Sequence, residues 1–119
     1  MGAWRERPDN WPWGVPTTDT PGFVDHAVHW LAEHAIPARV GVLAGEIYAS
    51  PRATARTGWR FLSATAQAFE REAATLRREL RDVGLDPGVV DEVVAIAARD
   101  AARGRARVAE LEAIGPHLP

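Results

Sequence analysis

Apolar or small residues recur in one stretch of the chain at alternating steps of four and three: Ala55, Trp59, Leu62, Ala66, Phe69, Ala73, Leu76 and Leu80. A second stretch repeats the pattern through Val90, Val94, Ala97, Ala101, Gly104, Val108 and Leu111. A mean step near 3.5 keeps one face of an α-helix turned toward a partner, so both stretches read as helical seams. Only Val83-Gly84-Leu85-Asp86-Pro87 separates them. Gly84 suits the left-handed residue just past a helix end, and Asp86-Pro87 suits an N-cap followed by the first helical position. Two long helices joined by so short a turn must fold back on each other. The expected fold class is therefore all-α, with four helices and a long antiparallel C-terminal hairpin.

The turn sets the register of the hairpin. With Gly84 to Asp86 at the bend, Leu80 faces Val90, Leu76 faces Val94, Phe69 faces Ala101, Ala66 faces Gly104 and Leu62 faces Val108. Large residues meet small ones near the middle, which lets the axes approach. Phe69, Leu76 and Val94 are expected to be deeply buried there, and the seam as a whole is Trp59, Leu62, Phe69, Leu76, Leu80, Val90, Val94, Val108 and Leu111. Apolar residues also lie beside the seams: Val89, Val93, Ile96 and Ala106 on the last helix, Phe61 and Ala68 on the one before. Two helices cannot shield both of their faces from water. The expectation is a bundle completed by a second copy or a helical partner.

The segments ahead of the hairpin are shorter. Residues 1–19 carry Trp4, Trp11 and Trp13 among Pro8, Pro12 and Pro16. Proline removes a backbone donor and fixes φ, so an extended arm is expected rather than a helix or a central strand. Each indole can bury roughly 150–250 Å², too much to leave in a free tail, so the rings are expected to dock on helices of this chain or of a neighbour. A helical domain is expected over 20–119. Its first helix is expected over 20–35, with Thr20 as N-cap, Pro21 at the first position and Pro37 as the stop. Residues 37–49 are read as a second helix on the spacing of Val40, Leu43, Ala44, Ile47 and Tyr48, although Gly41 and Gly45 each cost about 1 kcal/mol inside a helix. A hairpin turning at Ala44-Gly45 competes, since Val40, Val42, Ile47 and Tyr48 favour strands, but a lone two-stranded hairpin among helices would be marginal. Ser50-Pro51 opens the third helix, over 51–83, and the fourth runs over 87–114 to Gly115-Pro116.

Composition narrows the functional classes. The chain has 119 residues and no cysteine, which excludes disulfides, thiolate metal sites and cysteine nucleophiles. No apolar run reaches membrane-spanning length and no leader pattern opens the chain, so a cytoplasmic protein is expected. All 14 basic residues are arginine, as a GC-rich bacterial genome would produce. The net charge of −2 speaks against coating nucleic acid through bulk electrostatics.

Two clusters could carry chemistry. On the first helix, His26 and His29 lie a turn apart, and Asp25, His29 and Glu33 share a face. Imidazole and carboxylate together bind Zn²⁺ or Fe²⁺, so His26, His29 and Glu33 are candidate metal ligands, although their spacing meets no established metal box. Helical pairing of Asp25, His29 and Glu33 on a solvated face is the simpler account, and no cofactor is expected. The second cluster is Arg52, Arg56 and Arg60, a stripe at steps of four with no acid between Glu46 and Glu70. The stretch from Leu43 to Arg56 resembles the core of a bacterial helix-turn-helix, in which a Leu-Ala pair leads through a turn to a Ser-x-x-Thr recognition-helix start followed by arginine. Tyr48 stands where that family prefers a turn glycine, and Pro51 adds a residue to its spacing. The resemblance implies that the arginine stripe would meet phosphates or guanine edges in a major groove.

Nothing points to catalysis. Ser50 and Ser63 lie in no nucleophile elbow, no Gly-rich phosphate loop follows a strand, and no close acid pair suggests a hydrolase. The leading expectation is a non-catalytic helical assembly or adaptor protein acting through a homo-oligomer or a helical partner. A dimeric helix-turn-helix DNA-binding regulator is the alternative, and a metal-binding helical protein the third.

Overall fold

The computed structural model describes residues 7–38, 40 and 44–119. Among these the chain is helical, without a strand: α1 is Phe23–His34, α2 Ala44–Tyr48, α3 Pro51–Asp82 and α4 Pro87–Ile114, followed by a 3-10 turn at Gly115–His117. Trp4, Gly41, Val42 and Leu43, which figure in the expectations above, lie outside the described residues.

Local chemistry explains the long hairpin. Ser50 caps α3 by accepting a hydrogen bond from the Ala53 N–H at 3.2 Å, with Pro51 in the first turn where no donor is needed. Gly84 adopts φ +86°, its N–H donates to the Arg81 carbonyl at 2.9 Å, and the Leu85 N–H donates to the Leu80 carbonyl at 3.2 Å. That pair of bonds is a Schellman ending, which satisfies carbonyls the last helical turn leaves open. The Asp86 carboxylate then accepts from the Gly88 N–H at 2.9 Å and starts α4. The expected register holds: a Cβ placed on Gly104 would lie 3.3 Å from Ala66 Cβ, so the axes do come close where the small residues meet.

α1 starts later than expected. Thr20-Pro21-Gly22-Phe23 is a turn, closed by the Phe23 N–H on the Thr20 carbonyl at 3.1 Å, with Gly22 at φ +83°. A proline followed by a residue of positive φ is type II geometry, which the helix cannot absorb. The helix stops on time at His34, and the N–H groups of Ala35 and Ile36 both return to the Leu31 carbonyl. Of the expected second helix, the described residues show α2 at its end and, at its start, a tight turn in which the Val40 N–H meets the Pro37 carbonyl at 3.0 Å.

The described part of the N-terminal segment, residues 7–19, is not extended. It is a succession of turns, in which Trp11 N–H meets the Pro8 carbonyl at 3.1 Å and Val15 N–H meets the Pro12 carbonyl at 3.3 Å. These turns deliver Trp11 and Val15 into the core beside Phe23, Ala27, Ile114 and Leu118. The Trp11 indole stacks on Phe23 at 5.9 Å between centroids and donates to the Val15 carbonyl at 2.9 Å. Burial of one such ring is worth roughly 4–6 kcal/mol before entropy is charged against it, at ~25 cal/mol per Å², enough to hold a proline-rich segment in place. Trp13 departs from the expectation that the rings dock: it is 87% exposed, with Arg7 over its ring at 5.5 Å.

The core therefore sits at one end of the molecule. There the N-terminal turns, α1, the start of α3 and the end of α4 converge. The rest of the hairpin projects away, a plate two helices wide. A radius of gyration of 17.8 Å and extents of 57 × 36 × 17 Å record the elongation. A compact chain of this length would have a radius near ~13.5 Å.

Candidate functional site

The projecting hairpin has two unlike faces, and their positions follow from helical geometry. Each residue advances about 100° around an α-helix, so neighbours in sequence flank a seam on opposite sides. On α3, Glu70 and Arg77 fall to one side of the Ala66, Ala73, Leu80 row, and Phe69 and Leu76 to the other.

The first face is bridged by charge. Arg105 grips Glu70 with two hydrogen bonds, Nε to Oε1 at 2.8 Å and a terminal nitrogen to Oε2 at 2.7 Å. Arg77 pairs with Asp91, and the Trp59 indole donates to Glu112 at 3.0 Å. The hydrogen bonds from Arg105 hold the Glu70 carboxyl below its ordinary pKa, and the same contact raises that of Arg105. Toward the base this face opens into a cleft of about 450 Å³ between Arg52, Arg56, Trp59, Leu111 and Pro116.

The second face is apolar and open. Phe69 and Leu76 of α3 with Ala97 of α4 line a groove of about 460 Å³, with Glu72 and Glu79 at its rim. On α4 the surface continues through Val89 and Ile96, each 47% exposed, and half-buried Val93. At the base the same face is occupied by α1. A Cβ on Gly58 would come within 2.7 Å of Ala35 Cβ, and the Arg107 guanidinium lies 5.9 Å from the Trp30 ring. Gly58, Thr65, Glu72 and Glu79 are seven residues apart, so the surface that α1 covers at Gly58 runs on, uncovered, to the groove.

The seam residues are thus brought together unequally. Val90, Val108 and Leu111 are buried, and Trp59 and Leu62 pack half-buried against the core. Leu80 is half-buried. The expected deep burial of Phe69, Leu76 and Val94 is corrected: Phe69 is 38% exposed, and the other two are half-buried. The reason is geometric. One partner helix fully covers one row of side chains, and the row of Leu62, Phe69 and Leu76 needs a third element beside it. At the base α1 supplies that element for Leu62, but α1 stops before Phe69. Sequence reading missed the charged bridges, although the register that pairs Leu62 with Val108 also brings Glu70 to Arg105 and Arg77 to Asp91.

The remaining candidates are dispersed. Arg52, Arg56 and Arg60 are exposed; Arg52 and Arg56 have no carboxylate partner among the described residues, and Arg60 lies 5.2 Å from the Trp59 ring. Ser50 and Thr54 serve the chain itself, the Thr54 hydroxyl bonding the Ile47 carbonyl at 2.8 Å and the Ser50 carbonyl at 2.9 Å. His29 pairs with Glu33 at 2.9 Å on an open helix surface, and His26 is exposed. Among the described residues no group of three His, Asp or Glu side chains is placed to hold a metal ion. No helix among them is long and apolar enough to cross a membrane. Compared with known proteins, the chain matches no family model, no curated protein and no solved structure.

Proposed function

We propose that the chain is a non-catalytic helical assembly protein of the cytoplasm, acting by packing the open face of its hairpin against another helical surface. One observation carries this reading: the projecting half closes one face with charged bridges and leaves Phe69, Leu76, Val89 and Ile96 uncovered on the other. Contiguous apolar surface beyond a few hundred Å² on a soluble chain marks an interaction site. A chain without cysteine has no need of an oxidising compartment. The test is the apparent mass of the tagged protein in extract of its own cells. The native chain should run well above 13.0 kDa, and Phe69→Glu with Ile96→Glu should return it to the free-chain mass while far-UV circular dichroism stays unchanged. A native chain that runs free overturns the reading.

A second reading, binding of duplex DNA, is favoured by one observation: exposed Arg52 and Arg56 lack carboxylate partners among the described residues, beside an α2–turn–α3 arrangement. It requires affinity that falls steeply with salt, and each arginine removed should flatten the slope by about one unit. Sub-micromolar binding lost in a folded Arg52→Ala, Arg56→Ala variant would favour it over assembly.

A further inference from the structure

The open face ends in a ledge, and the ledge constrains what can cover it. Beyond Thr65 the face runs about 27 Å to the hairpin turn, at 1.5 Å per residue, and two helices spaced 8–10 Å apart make it roughly 20 Å wide. At the other end α1 stands on it as an added layer about 10 Å thick, anchored where Ala35 meets Gly58 and Trp30 meets Arg107.

We infer that a second copy of this chain covers the face, with the two hairpins antiparallel about a twofold axis perpendicular to the helices, near the level of Ile96. This rests on the assembly reading above and names its partner and geometry. Area supports it: about 500 Å² from each copy, near 1,000 Å² in all, reaches the size at which specific interfaces begin. Shape chooses the orientation. If the copies lay parallel, the two α1 layers would meet at the same level and hold the faces apart. Turned end for end, each turn comes to rest beside the partner's α1, and the two uncovered lengths overlap in full. The same arrangement accounts for Val83 and Leu85, apolar residues exposed at the turn, which then lie against the partner's α1 ledge. A twofold pairing also makes the patch its own complement, since each copy offers both the groove beside Ala97 and the projecting Phe69 and Ile96. The product is a four-helix bundle with charged bridges on both outer surfaces.

The test uses the purified full chain. Light scattering at micromolar concentration should give twice 13.0 kDa. Phe69→Glu and, separately, Ile96→Arg should give the single-chain mass with helicity retained, because both side chains are exposed in the lone chain. Ala98→Glu, on the charged face with Asp91 and Arg105, should remain dimeric. Orientation is then read with a spin label on Ala53→Cys, the only cysteine such a variant contains. Antiparallel copies place the labels about 60 Å apart, whereas parallel copies keep them within ~40 Å. A single-chain mass for the native protein, dimers that survive both face variants, or labels at the short distance would each overturn the inference. A purified monomer that nonetheless runs in a larger complex in cell extract, and loses it in the face variants, would overturn the second copy alone and leave the assembly reading standing.

Discussion

A Cβ on Gly58 would lie 2.7 Å from Ala35 Cβ and 3.3 Å from Leu111 Cδ1, so the missing side chain sets how closely α1 approaches the hairpin. Alanine at that position would gain helix propensity of about 1 kcal/mol, and overpacking against backbone-anchored atoms costs typically 1–3 kcal/mol. Gly58→Ala is therefore expected to destabilise, seen as a lower midpoint in urea, despite being a better helix former. Glu70 offers a second residue-scale test. Its carboxyl is held below the ordinary value chiefly by hydrogen bonds from Arg105. A carboxyl depressed in the folded state stabilises the fold above its unfolded pKa and loses that contribution as pH falls through its folded value. The contribution is thus present at neutral pH and disappears on acidification below the ordinary glutamate value of about 4.3. An NMR titration of the Glu70 carboxyl should show a midpoint under that value, and Arg105→Ala should bring it back. Both side chains are exposed, so the change in global stability should be small.

Among the elements, the N-terminal turns and α1 show how one pattern of residues leads to two outcomes. Thr20-Pro21-Gly22 and Asp86-Pro87-Gly88 have the same form, yet only the second starts a helix at its proline. Asp86 caps by accepting the Gly88 N–H, whereas the Thr20 hydroxyl lies 3.4 Å from that of Thr17 and Gly22 turns to positive φ. Helical spacing locates such an element, but competition among local hydrogen bonds decides its first residue. The N-terminal turns hold α1 through Trp11, which is 9% exposed and touches both Phe23 and His117. Trp11→Ala is expected to cost roughly 3–5 kcal/mol in thermal or urea unfolding, and Trp13→Ala to stay within about 0.5 kcal/mol. Equal costs for the two would mean that the docking of this segment is wrongly described.

At the scale of the whole molecule, the core occupies one end and the other is a plate two helices wide and one helix thick, too thin to bury both of its faces. Stability should then depend on protein concentration, because a partner that binds only the folded chain stabilises it by mass action. A tenfold increase in concentration should raise the Tm of the native protein by roughly 3–5 °C and leave that of Phe69→Glu unmoved. Phe69→Ala separates the same alternatives in another way. In the lone chain a side chain 38% exposed should cost clearly less than the ~3–5 kcal/mol of a buried phenylalanine, with the full cost appearing only where the chain self-associates.

Local spacing and end chemistry, read from the chain alone, determined the all-α class, the bounds of α3 and α4 to within a residue, the left-handed Gly84 and the meeting of Ala66 with Gly104. These are short-range properties: a seam needs only its period, a cap only its neighbours, and an antiparallel register only the position of the turn. Tertiary structure decided the rest. Whether Phe69 is covered depends on how far α1 reaches, and that depends on where Gly58 admits Ala35 and where the Trp11 cluster fastens the base. The candidate face was half legible for the same reason. Val89, Val93 and Ile96 could be seen to lie beside a seam, but that α1 covers this side at the base and leaves it open beyond Thr65 is a matter of packing between elements distant in sequence, which no local pattern encodes.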